Sequence, residues 1–121
     1  MPLQVLETGA VLAFFPEGDS GSREGELMPL QRGVGHFVLR ADAPILPIAL
    51  SGTLELFWRK PLKVIVGELF RVEVAGLSHR AAIDEAVAQV TRAMREILPR
   101  NEEPVVSKKR MLFLTTLLDR I

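Results

Sequence analysis

Cysteine is absent from this sequence, which removes disulfides and thiolate metal sites and fits a reducing compartment. Histidine is nearly as scarce. Only His36 and His79 occur, and nothing beside either has a metal-ligand spacing, so no metal is expected. Aromatic residues make up 6% of the chain, with one tryptophan and no tyrosine, too few for the stacking platform of a nucleic-acid binder. Neither sign of charge is in excess, 15 Lys+Arg facing 15 Asp+Glu, so nucleic acid is not an expected partner. No apolar run approaches the ~20 residues of a membrane-spanning helix. The start, Met1-Pro2-Leu3-Gln4-Val5, lacks the basic and apolar parts of a signal peptide. These absences point to a soluble or peripheral protein. What is present is a globular composition, 48% hydrophobic and 25% charged, and 121 residues fit one domain or a large piece of one.

Along the chain, residues 3–7 read as the tail of a helix stopped by Gly9. Residues 10–15 run apolar without alternation, which predicts a strand covered on both faces, as in a parallel sheet. Pro16 ends it. Residues 29–41 read as a helix with Val34, Phe37, Val38 and Ala41 on one side and Arg32 and Arg40 outside. Residues 45–50 form a second apolar strand, whose Pro47 argues for an edge, a bulge or a strand end. Residues 62–69 read as a third strand. Residues 81–98 carry the clearest helical stripe, Ile83, Ala86, Val87, Val90, Met94 and Ile97. Strand–helix–strand order predicts a right-handed α/β unit. Residues 1–99 are then one domain, followed by a linker and a terminal amphipathic helix over 100–121.

The polar, glycine-rich stretch 17–28 is long for a connector that leaves a buried strand, and loops of that kind are more often functional. It contains Arg23, and Arg32 opens the next helix. A guanidinium fork and the free N–H groups of a helix start both suit an anion. The alternative is a solvated loop whose charges hold no ligand.

Phe15-Pro16-Glu17-Gly18, then Ser22-Arg23-Glu24-Gly25, then Pro29-Leu30-Gln31-Arg32-Gly33 resemble the FPEGTRS…G…PFKRG block of the lysophosphatidic acid (1-acylglycerol-3-phosphate) acyltransferase family. Ala43-Pro44-Ile45-Leu46-Pro47-Ile48-Ala49 resembles that family's next block, roughly VPVVPVAI. The likeness covers about residues 3–98. It implies an α/β fold, here the C-terminal part of a glycerolipid acyltransferase-type domain, with a mostly parallel sheet and covering helices. It also implies transfer of a fatty acyl group from acyl-CoA or acyl carrier protein to a lysophospholipid or glycerol-phosphate acceptor, with no cofactor. By the same resemblance Phe15, Pro16, Glu17, Gly18, Arg23 and Arg32 bind the acceptor phosphate, and Pro47 shapes the site. Asp19 and Ser20 stand where the motif has Thr and Arg, and Gln31 replaces a basic residue, so positive charge is lost. The family's general base lies in an HxxxxD motif ahead of FPEG. No histidine precedes Pro16, and His36 and Asp42 are one residue too far apart. The expectation is a partial acyltransferase with no catalytic residue of its own, and His36 a structural helix residue.

Rival readings exist. Gly18-Asp19-Ser20 fits the GDS block of lipolytic hydrolases and the nucleophile of trypsin-like proteases, but a serine nucleophile needs a histidine base in the matching order. Gly76, not aspartate, stands three residues before His79. A non-catalytic lipid or membrane-binding module is the other class. Leu56-Phe57-Trp58-Arg59-Lys60, and Lys108-Lys109-Arg110 leading into Met111-Leu112-Phe113-Leu114, have the composition of interfacial segments. The expected location is cytoplasmic, with peripheral contact to the inner face of the membrane open. An edge strand left uncovered predicts self-association.

Overall fold

The computed structural model describes residues 2–18, 26–52 and 61–98. Five elements follow in order: α1 (Pro2–Glu7), α2 (Arg32–Ala41), β1 (Ile48–Ser51), β2 (Lys63–Val66) and α3 (His79–Ile97). Helix α3 starts two residues earlier than the apolar stripe requires, because Ser78 is extended and its hydroxyl accepts from Ala81 N–H at 3.4 Å, an N-cap. Helix α2 begins at Arg32 and not at 29. It ends at Asp42, whose left-handed backbone (φ 43°) returns an N–H to the Val38 carbonyl. Arg71 holds that end from outside: its Nη1 donates to the Asp42 carbonyl at 2.8 Å.

The mostly parallel sheet expected above does not form among the described residues. Their one sheet is two-stranded and antiparallel, with Ile48 opposite Val66 and Leu50 opposite Val64. An apolar run states a tendency to be buried; a strand also needs a neighbour to take its N–H and C=O groups. Among the described residues, 10–15 have none. They lie outside any strand, with Val11 91% and Phe15 81% exposed. The strand–helix–strand unit built on them is therefore not observed. The reading of Pro47 holds. It sits just before β1, its carbonyl accepts from Gly67 N–H at 2.9 Å, and pairing resumes at Ile45 and Phe70. From Ile48 to Ile45 is three steps, from Val66 to Phe70 four, so the second strand carries a one-residue bulge where proline interrupts the first.

Packing centres on α2 against α3. Val34, Val38 and Val90 form the buried cluster, flanked by Leu30, Ile45, Phe70, Val72 and Met94. The predicted stripe of α3 faces it, with Ile83, Ala86 and Val90 buried. Gly35 sets the approach. A Cβ there would stand 2.5 Å from the Ile83 carbonyl oxygen and 2.9 Å from a Val87 methyl, so only a residue without one lets the helices come this close. Gln89 ties the segment leading into α3 to that helix: its Oε1 accepts from Glu73 N–H at 3.1 Å and its Nε2 donates to Glu73 C=O at 2.8 Å. On the sheet, Ala49 is buried on the α3 side. Leu46, Ile48, Leu50, Val64 and Val66 are exposed; alternation and register put them together on the other face.

Two outcomes follow from this packing. Gly35→Val should destabilise the chain by about 2 kcal/mol or more through overpacking, whereas Gly33→Ala, with nothing within 4 Å of the new methyl, should stabilise it by ~0.5–1 kcal/mol; denaturant melts compare them. The bare sheet face should drive association. Light scattering should show oligomers that Leu50→Lys combined with Val64→Glu, a cross-strand ion pair in place of an apolar one, converts to monomer. A wild-type chain that stays monomeric at all concentrations would show that face to be inert.

Candidate functional site

The turn at residues 15–18 is closed by Gly18 N–H donating to Phe15 C=O at 3.3 Å. Gly18 is left-handed (φ 71°), and any Cβ on it would collide with the Gln31 side-chain amide; glycine satisfies both demands. Glu17 works inward. Its Oε2 accepts from Met28 N–H at 2.9 Å, drawing the two ends of the long loop together. Gln31 N–H donates to the Pro16 carbonyl at 3.3 Å. The turn is thereby tied directly to the start of α2.

That helix start is uncapped. Gln31 makes no side-chain cap, and no acid lies in the first turn. The Val34 N–H is taken by the Gln31 carbonyl, and the Arg32 and Gly33 N–H groups have no acceptor among the described residues. The Arg32 guanidinium reaches across to α3, its Nη2 lying 3.1 Å from Asp84 Oδ1. Both side chains are more than half exposed, so the pair contributes at most ~1 kcal/mol. Its other N–H donors remain available.

Beside the turn opens an apolar cleft of ≈330 Å³, within the range of ligand pockets. Phe14 and Phe37 meet across it edge to face, ring centres 5.5 Å apart, a favoured aromatic geometry. Leu12, Phe15, Pro16 and Val34 add to the wall, and Gln31 is the polar side chain in its lining. Phe15, Pro16, Glu17, Gly18 and Arg32 are thus neighbours through one turn and one helix start. Pro47 is buried at the bulge and is not in the cleft lining. Arg23, Ser20, the Trp58 segment and residues 100–121 lie outside the described residues.

Three features escape a local reading of the sequence. Asp84 carries no local signal, since its partner Arg32 is 52 positions away (84 minus 32). His36 is exposed on α2, and its ring centre stands 5.7 Å from that of His79. The third is a spacing. His79-Arg80-Ala81-Ala82-Ile83-Asp84 is itself an HxxxxD string, behind the FPEG block and not ahead of it. Its ends do not act as a pair: five residues along a helix is a turn of ~140° past one full circle, Asp84 is held by Arg32, and no hydrogen bond joins it to His79. Among the described residues no group of three or more His, Asp or Glu is placed to hold a metal, and no helix is long and apolar enough to cross a membrane.

Residues 1–51 match the family model described as Acyltransferase. The chain is 31% identical over 112 residues to 1-acyl-sn-glycerol-3-phosphate acyltransferase of Limnanthes douglasii, a match covering 88% of this chain and 39% of that protein. Its counterpart in Cocos nucifera is 30% identical, over 88% of this chain and 35% of the relative. The enzyme of that name from Bacillus subtilis is 32% identical over 99 residues, 78% of this chain and 46% of the relative. The chain thus spans less than half the length of each. No solved structure matches it. On these matches the chain resembles the 1-acyl-sn-glycerol-3-phosphate acyltransferases over most of its length, and its first 51 residues carry the acyltransferase family's pattern.

Proposed function

We propose that this chain supplies the acceptor-binding side of a glycerolipid acyltransferase site. In the reaction an acceptor hydroxyl loses its proton to a base, its oxygen attacks the thioester carbonyl, and the carbon–sulfur bond breaks to release the thiol of coenzyme A or acyl carrier protein. The observation that carries the reading is one junction. The Phe15–Gly18 turn, the uncapped start of α2 and the apolar cleft meet there. Such a junction suits a molecule with an anionic head and an alkyl body. Arg32 and the free N–H groups would take the phosphate. The Phe14–Phe37 wall would take the hydrocarbon. Glu17 serves by holding the loop, not by touching the lipid. Arg23 joins the phosphate contacts in this proposal on the strength of the motif alone.

The cleft also supports the second reading, a lipid-binding module without turnover, since it needs no base. Turnover separates the two. The general base that the resemblance calls for ahead of Phe15 is not in this sequence, so purified chain should transfer no acyl group from acyl-CoA to lysophosphatidate above background. Turnover abolished by His36→Ala or His79→Ala would overturn that expectation.

Binding should survive without turnover. The chain should take up sn-glycerol 3-phosphate weakly and lysophosphatidate more tightly, the difference arising in the cleft. Arg32→Ala should weaken both by ~3–10-fold, a range limited by the exposure of the site. Chemical-shift mapping that shows no perturbation at residues 15–18 or 31–34 would reject the assignment. Glu17→Ala should cost about 1 kcal/mol and speed amide exchange at Met28. An unchanged Met28 exchange rate would remove Glu17 from its role as the loop's tie.

A further inference from the structure

His36 and His79 are 43 positions apart (79 minus 36), yet the fold brings their rings together at 5.7 Å between centres, with planes inclined by 59°. We propose that this pair binds one divalent transition-metal ion of the Zn²⁺, Ni²⁺ or Cu²⁺ type and so forms a clamp across the seam between α2 and α3. The proposal does not depend on the acyltransferase reading.

Distance is the first support. An ion ~2.0–2.1 Å from a nitrogen of each ring lies about 3.2 Å from each ring centre, so two imidazoles sharing it have centres ~5–6 Å apart. The observed separation falls in that interval. Availability is the second. Both residues are exposed, and neither ring has a hydrogen-bond or ion-pair partner among the described residues. Their nitrogens are free, and imidazole is the ligand these metals favour over magnesium or calcium. Rigidity is the third. Contacts run along the seam in opposite order on the two helices: Arg32 with Asp84, Gly35 against Ile83, His36 beside His79. The backbone at both ligands is therefore fixed before any ion arrives, which lowers the ordering cost of binding.

Charge sets the limit on affinity. Arg32 and Arg40 lie one turn to either side of His36 on α2, and Arg80 follows His79. Asp84 already pairs with Arg32, and no third protein ligand is in place among the described residues. Water completes the coordination, and binding is moderate and reversible. An occupied site would pin α2 to α3 at the helix that carries Arg32 and that receives the Pro16 turn.

The test uses the full chain, titrated with Zn²⁺ and Ni²⁺ and, as controls, Mg²⁺ and Ca²⁺. Zn²⁺ at about tenfold above its dissociation constant should raise the melting temperature by ~5 °C, with one ion per chain by calorimetry. Magnesium and calcium should leave the melt unchanged. His36→Ala and His79→Ala should each abolish the rise, because one imidazole cannot chelate. Acidification should release the ion, since protons compete for the same nitrogens. Cu²⁺ electron paramagnetic resonance should show two equatorial nitrogens, and this readout holds even where melting is irreversible. A rise that persists in either variant, one ion per two chains, or single-nitrogen coordination would overturn the clamp.

Discussion

Everything described here hangs on how closely α2 lies against α3, and one missing methyl group decides it. With hydrogen at position 35 the helix backbone can press against the Ile83 carbonyl. Val34 and Val38 then reach Val90, and Arg32 comes within range of Asp84. Interiors are close-packed and transmit displacement, so moving this crossing outward would shift the start of α2. The Pro16 turn bonded to it would shift as well. The candidate site is thus positioned from behind, by a contact that touches none of its own residues.

The site itself joins two environments that rarely meet on a small surface. One is the cleft, nearly without polar lining, where an alkyl chain displaces water at little polar cost. The other is its rim, where backbone N–H groups and a half-exposed guanidinium have spare donors. Neither environment alone suggests a lipid. An apolar hollow fits many things, and a helix start by itself is common. Their shared border, at Pro16 and Gln31, is what the proposed function rests on, since it would orient an amphiphile.

How much of this the sequence discloses depends on the range of the interaction. Helix α3 is legible because its apolar stripe, Ile83 to Ile97, repeats over about four turns, and Pro99 marks its end; its start at the Ser78 cap is not part of that stripe. The bulge at Pro47 is legible because proline cannot donate to a ladder. The FPEG turn is legible as a motif, and its glycine has a clear backbone reason. Residues 10–15 mislead because apolarity does not say whether a ladder partner stands alongside; in the structure they flank α2 without joining a sheet. The bare face of the hairpin is a related case: the apolarity of residues 45–50 and 62–69 does not say that one face is left exposed. Arg32 with Asp84 and His36 with His79 are illegible for another reason. Each contact is made by the helix crossing, and no local pattern encodes a crossing.

Gln89 shows how narrow a structural demand can be. Its amide meets the peptide of Glu73 as a neighbouring strand would, giving one hydrogen bond and taking another. Only asparagine and glutamine carry a donor and an acceptor on one carbon without charge at neutral pH, and the asparagine side chain is one carbon shorter. Glutamate would keep the shape but lose the donor, and would set a second carboxylate beside that of Glu85. On a half-exposed helix surface, only glutamine makes both of these bonds at this reach. The demand is one of hydrogen-bond geometry, and hydrophobicity gives no warning of it.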